Sequence, residues 1–200
     1  MDIAVVVGHS ADAKGARACD GSWEWDWMRQ LGPQVVEALR LEGVAAVEIL
    51  RSADLDGYRA KMRDLCERIN AVHPRAVLAL HWNAVPGDWS GTLALHWPGS
   101  GRGERLAAGL SRAAATSLGL LDRGAVPQAR SWASYELDDL GRSHPTGPLL
   151  YILRDTLAPC AVLELGNSAN PTDLAAVQAG IQSGELALAI ARGCAAWLGR

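Results

Sequence analysis

Two imidazoles and two carboxylates stand where apolar runs give way to polar residues. His9 follows Gly8 directly after Ile3–Val7, and His81 follows the apolar run Ala76–Leu80. Glu24 comes just after the loop that begins at His9, and Glu164 sits towards the end of the apolar run Cys160–Leu165. Two neutral imidazoles and one carboxylate are a ligand set suited to zinc, and three protein ligands leave a fourth position open to water. Zinc lowers the pKa of such a water and polarises a carbonyl. A remaining carboxylate can then take the proton and pass it to a leaving nitrogen. His9, Glu24 and His81 as metal ligands, with Glu164 as base, make a self-consistent hydrolase of amide bonds.

Each residue alone carries less. A single His beside a strand end is commonly structural, and Glu24 alone reads as a helix-start carboxylate favoured by the helix dipole. Glu164 is harder to set aside. It interrupts an apolar strand, where a charge is costly unless paired or functional.

The elements around these residues alternate. The apolar runs predict strands at Ile3–Val7, 44–50, 76–80, Thr92–His96 and 160–165. Trp27, Leu31, Val35 and Leu39 fall at steps of four and predict a helix over 26–41; Tyr58, Met62, Leu65 and Ile69 do the same for 56–71. An Ala-rich helix is expected over 104–118, a short helix or strand over 149–156, and one or two helices over 173–198, interrupted near Gly180–Gly184. The stretch from Gly124 to Thr146 reads as a surface excursion with one short helix, 132–140. Such alternation predicts a single-domain α/β fold, a twisted, mostly parallel (mixed) β-sheet flanked by helices on both faces. In open sheets of this kind ligands gather beyond the carboxyl ends of the strands, where His9, His81 and Glu164 lie.

Composition sets the outer limits. At 200 residues, 49% apolar and 20% charged, the chain suits one folded domain rather than a disordered segment. A net charge of −3 provides no overall basic field for nucleic acid or an anionic membrane. No apolar stretch approaches the ~20 residues that span a bilayer. The start lacks a basic region ahead of its apolar run, so the expectation is a protein cytoplasmic as synthesised, without a signal peptide. Cys19, Cys66, Cys160 and Cys194 show no CxxC spacing, which speaks against a cysteine zinc site.

The motifs also carry a resemblance. Gly8-His9, Gly15-Ala16, Gly21 and Glu24 stand in the register of the amidase-3 family of zinc-dependent N-acetylmuramoyl-L-alanine amidases, a group that includes phage endolysins. Ala79-Leu80-His81-Trp82-Asn83-Ala84 resembles the family's second His stretch, and Gly91 to His96 its following strand. Pro159 to Asn170, with Leu163-Glu164-Leu165-Gly166 at its centre, resembles the stretch that holds the family's catalytic Glu. The chain departs from the pattern at Ser10-Ala11, where glycines are usual, at Asp12, one place early, at Ala79, where Ser is usual, and at Asn167, where an aromatic is usual. The resemblance implies Zn2+ as cofactor and peptidoglycan or a muropeptide as substrate. It implies cleavage between N-acetylmuramic acid and L-alanine; at this length the expectation is one amidase-3-like catalytic domain over 1–200, with no separate wall-binding domain. Action on the wall would follow release from the cytoplasm.

Further residues fit either a site or plain packing. Asn83 is a candidate substrate contact or a strand-end turn residue. Trp23, Trp25 and Trp82 either wall a cleft or pack beneath it. Cys19 and His144 are possible neighbours of the metal, while most Arg side chains read as solvated surface. Two rival readings remain at this level: a zinc amidohydrolase or carboxypeptidase acting on small acylamino acids, and a non-catalytic wall-binding module.

Overall fold

The computed structural model describes residues 1–128 and 150–200, and the backbone of 135–137 and 143–145. Its strands are β1 (Ile3–Val7), β2 (Ala46–Ile49), β3 (Ala76–Asn83), β4 (Thr92–His96), β5 (Asp122–Pro127), β6 (Tyr135–Leu137), β7 (Ser143–Pro145) and β8 (Cys160–Asn167). Six of them form one sheet in the order β2-β1-β3-β8-β4-β5. The first four in that order run parallel; β4 is antiparallel to β8, and β5 is parallel to β4. The carboxyl ends of β1, β3 and β8 therefore share one edge of the sheet.

Helices cover both faces. On one, Val5, Val7, Leu78, Leu80 and Leu163 pack against α1 (Glu24–Leu41), α3 (Gly101–Leu118), α5 (Pro171–Ser183) and α6 (Glu185–Leu198). On the other, Ala4, Val6, Val77, Ala79 and Val162 pack against α2 (Tyr58–Ala71) and α4 (Tyr151–Asp155). This alternation is the period of two along each strand. Burial on both sides explains why the central strands read as unbroken apolar runs. Truncating a fully buried Leu such as Leu78 or Leu80 in this frame costs about 2–5 kcal/mol, so the edge that carries the site is firmly held.

Local signals explain most boundaries. Glu24 and Asp26 lie in the first turn of α1, where negative charge suits the helix dipole. Asn170 caps α5 by accepting from the amides of Thr172 and Asp173, with Pro171 at its first position. Gly184, at φ +79, ends α5 and starts α6, and the two helices meet at 82°. Among the described residues no single helix is long and apolar enough to cross a membrane.

Several expectations are corrected. β3 and β8 run on through Asn83 and Asn167, because backbone pairing continues where apolar side chains stop. β5, a half-exposed edge strand of sequence DRGAVP, carries no apolar pattern that would announce it. The helix expected over 132–140 is not formed at its centre. Tyr135–Leu137 pairs antiparallel with Ser143–Pro145, and the remainder of that span lies outside the described residues.

Candidate metal centre

Gly8 continues the pairing of β1 with β3, its amide donating to the Leu80 carbonyl at 2.9 Å. A Cβ at Gly8 would meet the His81 ring at 2.5 Å, so only glycine lets that ring lie across the end of β1. The chain then turns sharply. His9 adopts φ +66, a left-handed conformation costing a side chain about 1–2 kcal/mol. Reciprocal bonds between Ser10 and Ala13, at 3.1 and 3.0 Å, close the loop behind it. Strain of this kind at a ligand-type residue persists only where the surroundings impose it.

Glu24 sits at the first position of α1 and is 2% exposed. Residues 14–16 lie alongside the helix start: the Glu24 amide donates to Ala16 O at 2.9 Å, and the Trp25 amide to Lys14 O at 3.0 Å. At Gly15, φ +78, a Cβ would collide with the His9 ring and come within 2.6 Å of the Glu24 carboxylate. The carboxylate itself is surrounded by donors. His9 Nε2 lies 3.0 Å from Oε2 and His81 Nδ1 2.9 Å from Oε1. The amides of Ala16 and Trp82 donate to it at 3.1 and 3.0 Å. The two imidazole rings meet edge to face with centroids 5.1 Å apart.

Electrostatics follow from this packing. Burial alone would raise the Glu24 carboxyl, but the hydrogen bonds and charge of His81 and His9 outweigh it and hold the group well below the carboxylate range. Burial would lower His81; its bond to Glu24, with the charges of Glu24 and Glu164, raises it instead.

The donor set fits a zinc ion. One donor atom from each of His9, Glu24 and His81 lies within 4.8 Å of the other two. Tetrahedral zinc bonds of about 2.0–2.2 Å bring ligand atoms about 3.3 Å apart; His9 Nε2 and His81 Nδ1 lie 3.0 and 2.9 Å from Oε2 and Oε1, the two oxygens of the one carboxylate. Two imidazoles on one carboxylate, with the glycines at 8 and 15 clearing the space, form a compact nitrogen and oxygen cluster.

Glu164 is the register partner of His81 across β3 and β8, so both side chains leave the same face of the sheet. Burial pushes its carboxyl up to about 7; the His81 charge opposes the rise and the Glu24 charge adds to it. Beside the cluster a cavity of about 360 Å³ opens on the α2 face, bounded by His9, Arg51, Met62, His81, Ile152 and Val162. A half-buried, raised carboxyl in register with a residue of a ligand-type cluster is the arrangement expected of proton-transfer chemistry.

Asn83 Oδ1 accepts from the Ala84 amide at 2.9 Å, and its carbonyl accepts from the Ser168 amide at 2.7 Å, so it shapes the strand-end turn at the site's edge. Trp82 does not wall the cleft. Alternation along β3 sends it to the opposite face, where it is 2% exposed in the core against α1. Trp25 and Trp27 pack at the margin of that same core, and Trp23 is exposed beneath Arg17. Cys19 is exposed and lies outside the three-residue donor group. The side chain of His144 lies outside the described residues.

Other contributors escape a sequence reading. Asn167 Oδ1 accepts from the amides of Val85 and Ala169, while its Nδ2 donates to the carbonyls of Val85 and Trp89. Asp173, fully buried, accepts from Ser90 Oγ at 2.6 Å and from the amides of Gly91 and Asn167, each at 2.9 Å. Together they pin the 84–91 loop that follows β3. In sequence the only signal of this arrangement is Asn167 itself, standing where the family resemblance expects an aromatic.

The N-acetylmuramoyl-L-alanine amidase family model (amidase-3) matches residues 3–196. Among solved structures, the amidase AmiC2 of Nostoc punctiforme superposes with a TM-score of 0.75 at 24% identity, over 100% of this chain and 98% of that one. The amidase Ami1 of Mycobacterium smegmatis gives 0.73 at 20% identity, over 99% and 97%. CwlD of Clostridioides difficile, solved with the GerS lipoprotein, gives 0.78 at 16% identity, over 100% and 99%. These likenesses establish the fold. None of the curated proteins matches the chain in sequence. With the family matched over nearly its whole length, the chain belongs to the N-acetylmuramoyl-L-alanine amidases of the amidase-3 family.

Proposed function

We propose that this amidase is zinc-dependent, with His9, Glu24 and His81 holding the ion, Glu164 as general base and Asn83 contacting substrate. The bond cut is the amide between N-acetylmuramic acid and the L-alanine that begins the stem peptide of peptidoglycan. Zinc bound at this cluster supplies Lewis acidity for the carbonyl and brings the pKa of a water towards neutrality. Glu24, whose carboxylate accepts from the backbone amides of Ala16 and Trp82, is held between the two imidazoles in position to share the ion with them. Glu164, with its carboxyl near 7, is poised to accept a proton from the attacking water and return it to the departing nitrogen. The cleft beside the cluster is walled in part by the apolar side chains of Met62, Ile152 and Val162.

The observation that carries the reading is the convergence of His9, Glu24 and His81, with Glu164 in register beside His81. The test is paired. Metal content is measured for the wild-type chain and for His81→Ala, and both are assayed on isolated peptidoglycan by mass spectrometry of the products. One zinc per chain, lost in the variant, with release of stem peptides beginning at L-alanine, supports the whole reading. Zinc without stem-peptide release sinks the substrate assignment; peptide release without any bound metal sinks the zinc assignment.

A further inference from the structure

Arg51 lies two residues beyond β2, on the edge that carries His9 and His81, and lines the cleft beside them. Unlike a solvated surface arginine it is half-buried and fixed in orientation. Its Nε and Nη2 donate to Ser10 Oγ at 3.3 and 3.1 Å, and Nη2 also donates to the Ala13 carbonyl at 3.4 Å. The Tyr58 ring stands 5.9 Å from its Cζ. Every one of these acceptors is neutral.

The acid of the same loop is already engaged. Asp12 accepts from Ser10 Oγ at 2.7 Å and pairs with Lys61 Nζ. Among the described residues Arg51 therefore has no ion-pair partner, and no acceptor is assigned to its Nη1. The remaining wall, Met62, Leu65, Ile152 and Val162, is apolar. The charges of Asp12, reached through Ser10 Oγ, and of Glu24 act on Arg51 without touching it, so its guanidinium, immobilised in such a wall, still has room to bind a planar anion, above all a carboxylate. A stem peptide offers that group close to the bond being cut. Its second residue, a γ-linked glutamate, bears an α-carboxyl that is either free or amidated.

We propose that Arg51 receives this free α-carboxylate and makes the enzyme selective for stem peptides in which it is not amidated. The assignment rests on the amidase reading above and names its specificity group. It is tested with two synthetic muramyl peptides that differ only in carboxylate against carboxamide at that position. Dissociation constants are measured in the Glu164→Gln chain, with Arg51 present and with Arg51→Met or Arg51→Lys. Turnover of both peptides by the zinc-loaded wild type is measured separately.

With Arg51 present the carboxylate peptide binds about 10- to 100-fold more tightly than the carboxamide, the range for a charged hydrogen bond. Arg51→Met erases that preference by weakening the carboxylate peptide alone, and Arg51→Lys keeps part of it. Equal binding of the two peptides in the chain that retains Arg51 overturns the proposal without reliance on any Arg51 variant. Equal weakening of both by Arg51→Met also overturns it and leaves Arg51 as a brace for the Ser10–Ala13 loop. A preserved binding preference with no turnover of either peptide supports Arg51 and refutes the hydrolysis instead.

Discussion

Replacing Glu164 with Gln should make the metal-free chain more stable at pH 8 while removing its activity. The Glu164 carboxyl titrates near 7 in the fold against an ordinary 4.5, because burial disfavours its charge. An acid raised in the folded state favours folding below its unfolded pKa, and loses that contribution as pH rises through the folded one. The full difference corresponds to at most about 3 kcal/mol. Glu164 keeps some solvent contact, so a realistic figure is about 1–2 kcal/mol. Gln cannot ionise and escapes that loss. Urea unfolding of chelator-treated wild type and Glu164→Gln at pH 5 and pH 8 measures it. The variant should gain about 1–2 kcal/mol relative to wild type between the two pH values, which in a domain of this size is about 2–8 °C in melting temperature at pH 8. Loss of the base should meanwhile lower kcat by about 10²–10⁴ in the zinc-loaded form. A stability difference between the two chains that does not change with pH would refute the reasoning that burial holds this carboxyl protonated.

Two glycines separate crowding from backbone strain. Gly15→Ala combines a left-handed φ with a Cβ pressed on His9 and Glu24, and should lower zinc affinity by about 10- to 100-fold in competition with a chelating dye. Gly43→Ala, at φ +72 with open space around it, should cost about 1 kcal/mol and leave zinc affinity untouched. Asp173→Ala leaves the buried amides of Gly91 and Asn167 without an acceptor, and should cost about 3 kcal/mol in chemical unfolding. The same change should speed hydrogen exchange at those two amides, and unchanged exchange would remove Asp173 from its role in holding the 84–91 loop.

Much of this architecture is legible in the chain itself, for identifiable reasons. β1 and β4 begin and end where their apolar runs do, because both are buried on two faces and bounded by Gly or a polar turn. His9, His81 and Glu164 are visible because each stands where an apolar run meets the edge at which ligands collect, whereas Glu24 shows only as a helix-start carboxylate in register with them. What escapes depends on contacts far apart in sequence. Trp82 adjoins His81 in sequence, yet pleating sends the two to opposite sides of the sheet. Arg51 looks like any other arginine until Ser10 and Ala13 are brought against it. Asp173 is a helix-start acid by position, and only the fold buries it beneath Ser90 and Gly91. β5 is silent because an edge strand can keep half its surface wet.

The opposed placement of His81 and Trp82 bears on which changes of chain length this protein can survive. Sliding β3 by one position against β1 and β8 would drive an imidazole into the packing beneath α1 and push an indole out beside Glu24 and Glu164. Deleting or inserting one residue between Ala76 and Leu80 is therefore worse than any substitution there, since it destroys site and core at once. The turn at His73–Arg75, which precedes the strand and lies at the far end of the sheet, is where length variation can be absorbed. Among descendants of this sequence, the count of residues from Ala76 to Asn83 should change less readily than their identity.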